Sequence, residues 1–168
     1  LAVKETLPAF ETFVGDKITT EAGASARVSF NDGSFVNIGK SAAISIIQYI
    51  YEPDTKRLKV YIKALKGRAR YIQFKWMGTG SAFTVESPTA LVSTFAADFV
   101  VAVSEEETTV TALEGSVFVR NSYFLTVGNV LMQMNRKTTI GKKTPPSKFE
   151  TLSPKDRKEL IRELSVPR

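Results

Sequence analysis

Acid–base or nucleophilic chemistry in this chain would have to come from carboxylates, lysine, tyrosine or serine, because its 168 residues include no histidine and no cysteine. Imidazole bases, thiol nucleophiles, disulfides, thiolate metal sites and histidine-ligated metals are thereby excluded. The acids that remain, Asp98 with Glu86 or Glu114, have no sequence-defined geometry and would need a deep cleft to shift their pKa values. Glu105-Glu106-Glu107 supplies the oxygen ligands a hard cation prefers. Three successive residues on a hairpin point in different directions, however, which suits a solvated corner. Gly78-x-Gly80 has no third glycine and no helix opening behind it, both needed to cradle a phosphate on backbone amides, so it reads as a turn. No catalytic residue, cofactor site or metal site is assigned, and the chain reads as a non-enzyme.

What remains is recognition, and the charge pattern shows where it could reside. The formal charge is +6. Residues 1–135 hold 13 Lys/Arg against 13 Asp/Glu, while residues 136–168 hold 10 against 4, so the tail carries the excess. Within the neutral part, Lys56, Arg57, Lys59, Lys63, Lys66, Arg68, Arg70 and Lys75 follow one another without an acid. Alternation in Leu58–Ala64 puts Lys59, Tyr61 and Lys63 on the solvent face of one strand. With Arg68, Arg70 and Trp76 they form a candidate surface for an anionic partner, such as a negatively charged glycan. The bland reading is a solvated strand whose lysines discourage edge pairing. Tyr61, Tyr71, Phe74 and Trp76 interleave with the charges, but no RNP-type motif accompanies them, so nucleic acid is disfavoured.

The elements that must carry these residues are strands. From about residue 12 to 134 the chain is short runs rich in Val, Ile, Phe, Thr and Tyr, broken by Gly, Asn, Asp and Ser. Ala24–Phe30 and Ser34–Ile38 flank Asn31-Asp32-Gly33, which predicts a tight hairpin and makes Asp32 a turn former. Further strands are expected near 42–50, 58–65, 68–74, 83–86, 90–94, 98–103, 108–113, 117–120, 123–127 and 130–134. Such even spacing predicts an all-β fold, a twisted β-solenoid or sandwich-like stack of short strands and hairpins. Ser153-Pro154 supplies an N-cap and a first-turn proline, and Leu160, Ile161 and Leu164 lie at helical spacing, so one short C-terminal α-helix follows. Three turns are marginal alone, so the helix should dock on the β-body or on a partner through Leu160 and Leu164. The division expected is an N-terminal arm (1–13), a β-domain (14–135), a basic extended linker with Lys142 and Lys143 (136–152), and the helix and tail (153–168). No run of about 18 apolar residues occurs, and Leu1-Ala2-Val3-Lys4-Glu5 lacks signal-peptide regions, so the chain reads as a mature one without a membrane span.

Over roughly residues 14–134 this order of pieces resembles the FecR-like domain of exported bacterial proteins. The resemblance rests on Val14-Gly15-Asp16-Lys17-Ile18-Thr19-Thr20, on the strand running into Asn31-Asp32-Gly33-Ser34, and on Lys66-Gly67. Phe83–Ala90 and Thr109-Val110-Thr111-Ala112-Leu113-Glu114-Gly115-Ser116-Val117 complete it. Where the family often has Arg-Gly-Thr before a phenylalanine, this chain has Phe95-Ala96-Ala97-Asp98 before Phe99. The resemblance implies a periplasmic or otherwise exported β-domain that works by contacting proteins. The function expected is a stand-alone, non-catalytic envelope module that binds or scaffolds another envelope protein or assembly. The alternatives are a binder of anionic envelope polysaccharide, or the periplasmic part of a FecR-type signal-transduction regulator. In the namesake branch that part relays a receptor signal to a sigma factor.

Overall fold

In the computed structural model, which describes residues 9–75 and 77–166, the β-branched and aromatic runs form β1 (Lys17–Thr19), β2 (Ala26–Ser29), β3 (Phe35–Ile38), β4 (Ala43–Glu52), β5 (Arg57–Gln73), β6 (Ala82–Glu86), β7 (Ala90–Thr94), β8 (Ala97–Val103), β9 (Glu107–Asn121), β10 (Asn129–Gln133), β11 (Arg136–Gly141) and β12 (Glu150–Thr151). One helix, α1 (Pro154–Glu163), follows. The mostly-β reading with a single short C-terminal helix therefore holds. No helix among the described residues is long and apolar enough to cross a membrane.

The connectivity departs from a stack of separate hairpins. A straight strand of 17 residues would span about 56 Å. Yet Gly78, five residues beyond the end of β5, donates its N–H to the Lys56 carbonyl at the strand's beginning (2.7 Å), and five residues reach at most roughly 18 Å. β5 must therefore fold back, and it does so at Gly67, which has φ +75°. Before this corner the even residues Leu58, Val60, Ile62 and Ala64 face inward; after it the odd residues Ala69 and Tyr71 do. β9 repeats the device at Gly115 (φ +72°), switching from Val110 and Ala112 to Val117 and Val119. Each long strand thus serves four neighbours, two before its corner and two after it; outside the ring, β5 pairs with β4 and then β3, and β9 with β11 and then β10. β5 pairs parallel with β6 and antiparallel with β8, while β9 pairs with β8 and β7, and β6 pairs with β7. The result is a closed ring of five strands, β5-β6-β7-β9-β8, in place of the expected solenoid or sandwich-like stack. The breaks expected at Gly67 and Gly115 are corners, where a left-handed glycine turns a strand without ending its pairing.

The ring is filled by side chains. Tyr71 stacks on Phe99 with centroids 5.3 Å apart, and Phe83 meets both edge-on at 6.4 Å, the offset and T-shaped arrangements that ring quadrupoles favour. The Tyr71 hydroxyl is buried without a hydrogen-bond partner among the described residues, and burial pushes its pKa above the ordinary value. Outside the ring, β2 and β3 form the predicted hairpin. Gly33 (φ +89°) closes its turn, and the Asp32 carboxylate accepts from Ser34 Oγ (2.9 Å) and from the Tyr49 hydroxyl (3.0 Å). Desolvation, reinforced by Asp32, likewise raises the Tyr49 pKa.

Both phenols thus hold their protons more tightly when folded than the ordinary value of 10.0. Below pH 10 neither state ionises and stability is unaffected. Above it only the unfolded chain gains phenolate, so stability should fall as pH rises. Urea midpoints at about pH 8 and about pH 11 should differ in that direction. Absorbance at 295 nm should show Tyr49 and Tyr71 ionising only with unfolding; free ionisation of all five tyrosines in the folded protein would contradict their enclosure.

The C-terminal segment packs against this body. Residues 136–152, expected as a linker, carry β11 and β12, and β11 pairs with β9 over Arg136–Gly141. Ser153 caps α1 by accepting from Asp156 N (3.1 Å), with Pro154 opening the first turn. Leu160 and Leu164 settle with Leu152 against Val100 and Leu113. Beyond the helix, Asn37 Nδ2 donates to the Leu164 carbonyl (2.8 Å) and Arg27 to that of Val166 (3.0 Å).

Candidate interaction surface

The alternation before the corner places Lys59, Tyr61 and Lys63 on the outer face of β5, with Lys59 and Tyr61 half-buried and Lys63 exposed. Their register neighbours are Ile50, Gln48 and Ser45 on β4 and Ala82, Thr84 and Glu86 on β6. Glu86 therefore lies on the strand beside Lys63, before the corner of β5, whereas Asp98 is the register partner of Ile72, after it.

Past the corner the basic band turns onto another part of the surface and meets acids. Arg68 forms a two-oxygen ion pair with Glu163 of α1 (2.9 and 3.1 Å), both side chains about half exposed. Arg70 grips Asp98 with both guanidinium arms, Nε lying 2.9 Å from Oδ1. The Asp98 side chain is only 4% exposed and that of Arg70 16%. Hydrogen bonding to Asp98 raises the Arg70 pKa further, outweighing the opposing effect of burial. Asp98, one of the acids to which acid–base work could have fallen, is thus occupied by a structural cation, although Glu114 is its register partner on β9. Lys59 and Lys63 do not join Arg68 and Arg70 into one track, because Gly67 separates them and the two arginines already have partners. Trp76 lies outside the described residues.

At the far end of the molecule, Lys142 pairs with Glu106 of the β8–β9 turn (3.0 Å), and Lys143 sits over the Tyr123 ring (5.2 Å). The turn after β11, which carries Lys142 and Lys143, is tied to β9 by Asn121, whose Nδ2 donates to the carbonyls of Gly141 (2.9 Å) and Thr144 (2.8 Å). The same side chain accepts from Tyr123 N through Oδ1 (2.7 Å). Tyr123–Val127, expected as a strand, is consequently the loop joining β9 to β10. The segment is held at one end by Asn121 and pairs with no strand among the described residues. Leu160 and Leu164, candidate partner contacts by sequence, face the body, and Leu164 is fully buried.

One exposed apolar group was not among those candidates. Phe124 (79% exposed), Leu125 (62%) and Val127 (91%) project from the β9–β10 loop, and Phe118 and Leu131 are cross-strand neighbours on the outer face of the same hairpin. The signal is visible in the sequence. Phe118 is out of phase with Val117 and Val119, and Tyr123-Phe124-Leu125-Thr126-Val127 has no polar alternation to give it a buried face. Contiguous exposed apolar surface of this kind marks contact sites.

Three comparisons with known proteins bear on this chain. A family model described as FecR protein matches residues 16–118. A search of curated proteins found no significant match. Among solved structures, a 1.65 Å crystal structure from Parabacteroides distasonis ATCC 8503, described as "a putative anti-sigma factor", is similar with TM-score 0.64 and 18% identity. It is covered over 64% of its length by 87% of this chain. A 2.50 Å structure of the same description and organism gives TM-score 0.61 and 18% identity, over 82% of this chain and 60% of that one. This chain spans less than two thirds of either neighbour, and the likeness is one of fold.

Proposed function

This chain belongs to the FecR protein family, and from that membership we propose that it is the FecR-type part of a bacterial signal-transduction regulator, a non-catalytic module acting outside the cytoplasm by holding another protein. The observation that carries the reading is the family match over residues 16–118, joined by a shared fold, over 87% and 82% of the chain, with two structures each described as "a putative anti-sigma factor". The physical arrangement suits it. A ring closed on itself has no internal strand edge to slip, so it can hold an exposed hairpin in fixed geometry. The buried acid Asp98 is neutralised by Arg70, and the apolar surface is concentrated at the β9–β10 hairpin.

Exporting this chain alone into the periplasm of its own bacterium should compete with the intact regulator and change transcription of one sigma-factor regulon several-fold. RNA sequencing reads the result. A transcript profile identical to that of the empty vector overturns the regulator reading. Recovery of a single envelope partner without any transcriptional change would favour a purely structural scaffold.

A further inference from the structure

We propose that β10 is the docking edge for an extended, acidic segment of a partner protein; the inference rests on the regulator reading and names its contact. β10 is hydrogen-bonded to β9 on one side, and no strand among the described residues takes its other side. Sheet edges are ordinarily guarded by charges, proline or bulges. Asn129-Val130-Leu131-Met132-Gln133 contains no charge and no proline, and its register against β9 is unbroken. The neighbouring β11 is covered, by β12 and by Ser147, whose N–H reaches the Thr139 carbonyl (2.9 Å).

Beside this open edge runs a groove of about 470 Å³ between β10 and residues 147–151, lined by Val130, Arg136, Lys148 and Phe149 among others. A strand added to β10 would direct alternate side chains into the groove and onto exposed Leu131 and Phe118. The electrostatics select its chemistry. The Arg136 guanidinium lies over the Phe149 ring (5.3 Å), and neither Arg136 nor Lys148 has an ion-pair partner among the described residues. The residues lining the groove include no acid. A segment alternating apolar and acidic residues complements such a groove. A second copy of this chain does not, since it would bring the same cations and a further formal charge of +6.

The test titrates the full chain with a synthetic peptide of alternating valine and glutamate, and with its valine–lysine counterpart, following amide hydrogen exchange. The glutamate peptide should bind and slow exchange across residues 129–133 by about tenfold or more, with affinity falling as salt rises. Arg136→Glu with Lys148→Glu should weaken binding by about tenfold. Leu131→Glu, a guard charge of the peptide's own sign on an already exposed position, should do the same while the thermal midpoint stays in place. Equal binding of both peptides, no protection at 129–133, or affinity indifferent to the charge reversal overturns the proposal. A concentration-dependent dimer that protects those amides without peptide also overturns it, in favour of self-association. Peptide binding without a transcriptional response removes the regulator reading alone, whereas a transcriptional response without peptide binding removes this edge alone.

Discussion

Gly115→Ala should lower the free energy of unfolding by about 2–5 kcal/mol, the sum of a left-handed backbone imposed on an L-residue and a side chain forced into filled space. A Cβ built at Gly115 would lie 2.5 Å from the Ala96 carbonyl oxygen, in the β7–β8 connection, and 3.1 Å from the Cα of Ala97, which opens β8. Gly67→Ala should cost a similar amount, since its Cβ would meet Ala42 Cα at 2.6 Å and the Ser41 oxygen at 2.9 Å. Neither corner can yield cheaply. At each, one strand leaves one neighbour and joins another, so a backbone shift disturbs pairing on both sides of the ring. Against a total stability typically of about 5–15 kcal/mol, either substitution removes a large fraction. Gly80 is the internal control: its φ is +82°, yet a Cβ there would meet nothing within 4 Å, so Gly80→Ala should cost only about 1 kcal/mol. Urea unfolding of the three variants decides the matter. If Gly115→Ala and Gly80→Ala cost the same, close backbone approach is not what requires glycine at the corner.

Those corners also explain what could and could not be read from the residues alone. Alternation identified Lys59, Tyr61 and Lys63 as outward-facing because periodicity is local, and Asp32-Gly33 announced its hairpin because positive φ is a property of two or three residues. Ser153-Pro154 located the helix start for the same reason. Ring closure is not local. Lys66-Gly67 and Glu114-Gly115 look like ordinary turns, since a glycine that ends a strand and one that bends it leave the same trace in sequence; only the phase change from even to odd inward residues distinguishes them. The candidate surface was legible to the same extent. Charge density was plain along 56–75, but Arg68 and Arg70 meet Glu163 and Asp98, which are 95 and 28 residues away, and no spacing rule anticipates such partners. The apolar β9–β10 hairpin was missed because Tyr123–Val127 has strand-like composition, and composition carries no information on whether a pairing partner exists.

Asp98 is the residue at which a catalytic reading and a structural one make opposite predictions. Its carboxylate is enclosed, held by both arms of Arg70, and register-paired with Glu114. Removing one member of such a pair leaves the other charge buried and unmatched, so Asp98→Ala should cost about 3–5 kcal/mol. Replacing both, as Arg70→Met with Asp98→Leu, removes the stranded charge along with the attraction and should restore most of the loss. The exposed Arg68–Glu163 pair offers the contrast: solvent screens it, and Glu163→Gln should change stability by less than about 1 kcal/mol. Thermal and urea unfolding of Asp98→Leu, Arg70→Met and the double variant give the coupling energy directly. Were Asp98→Ala to cost under about 1 kcal/mol, solvent would be reaching Arg70, and the enclosure that makes this acid a structural element rather than a reactive one would have to be abandoned. A large single-variant cost recovered in the double instead fixes Asp98 as the counter-charge that lets β5 carry an arginine beside its corner, where the ring joins the sheet beneath α1.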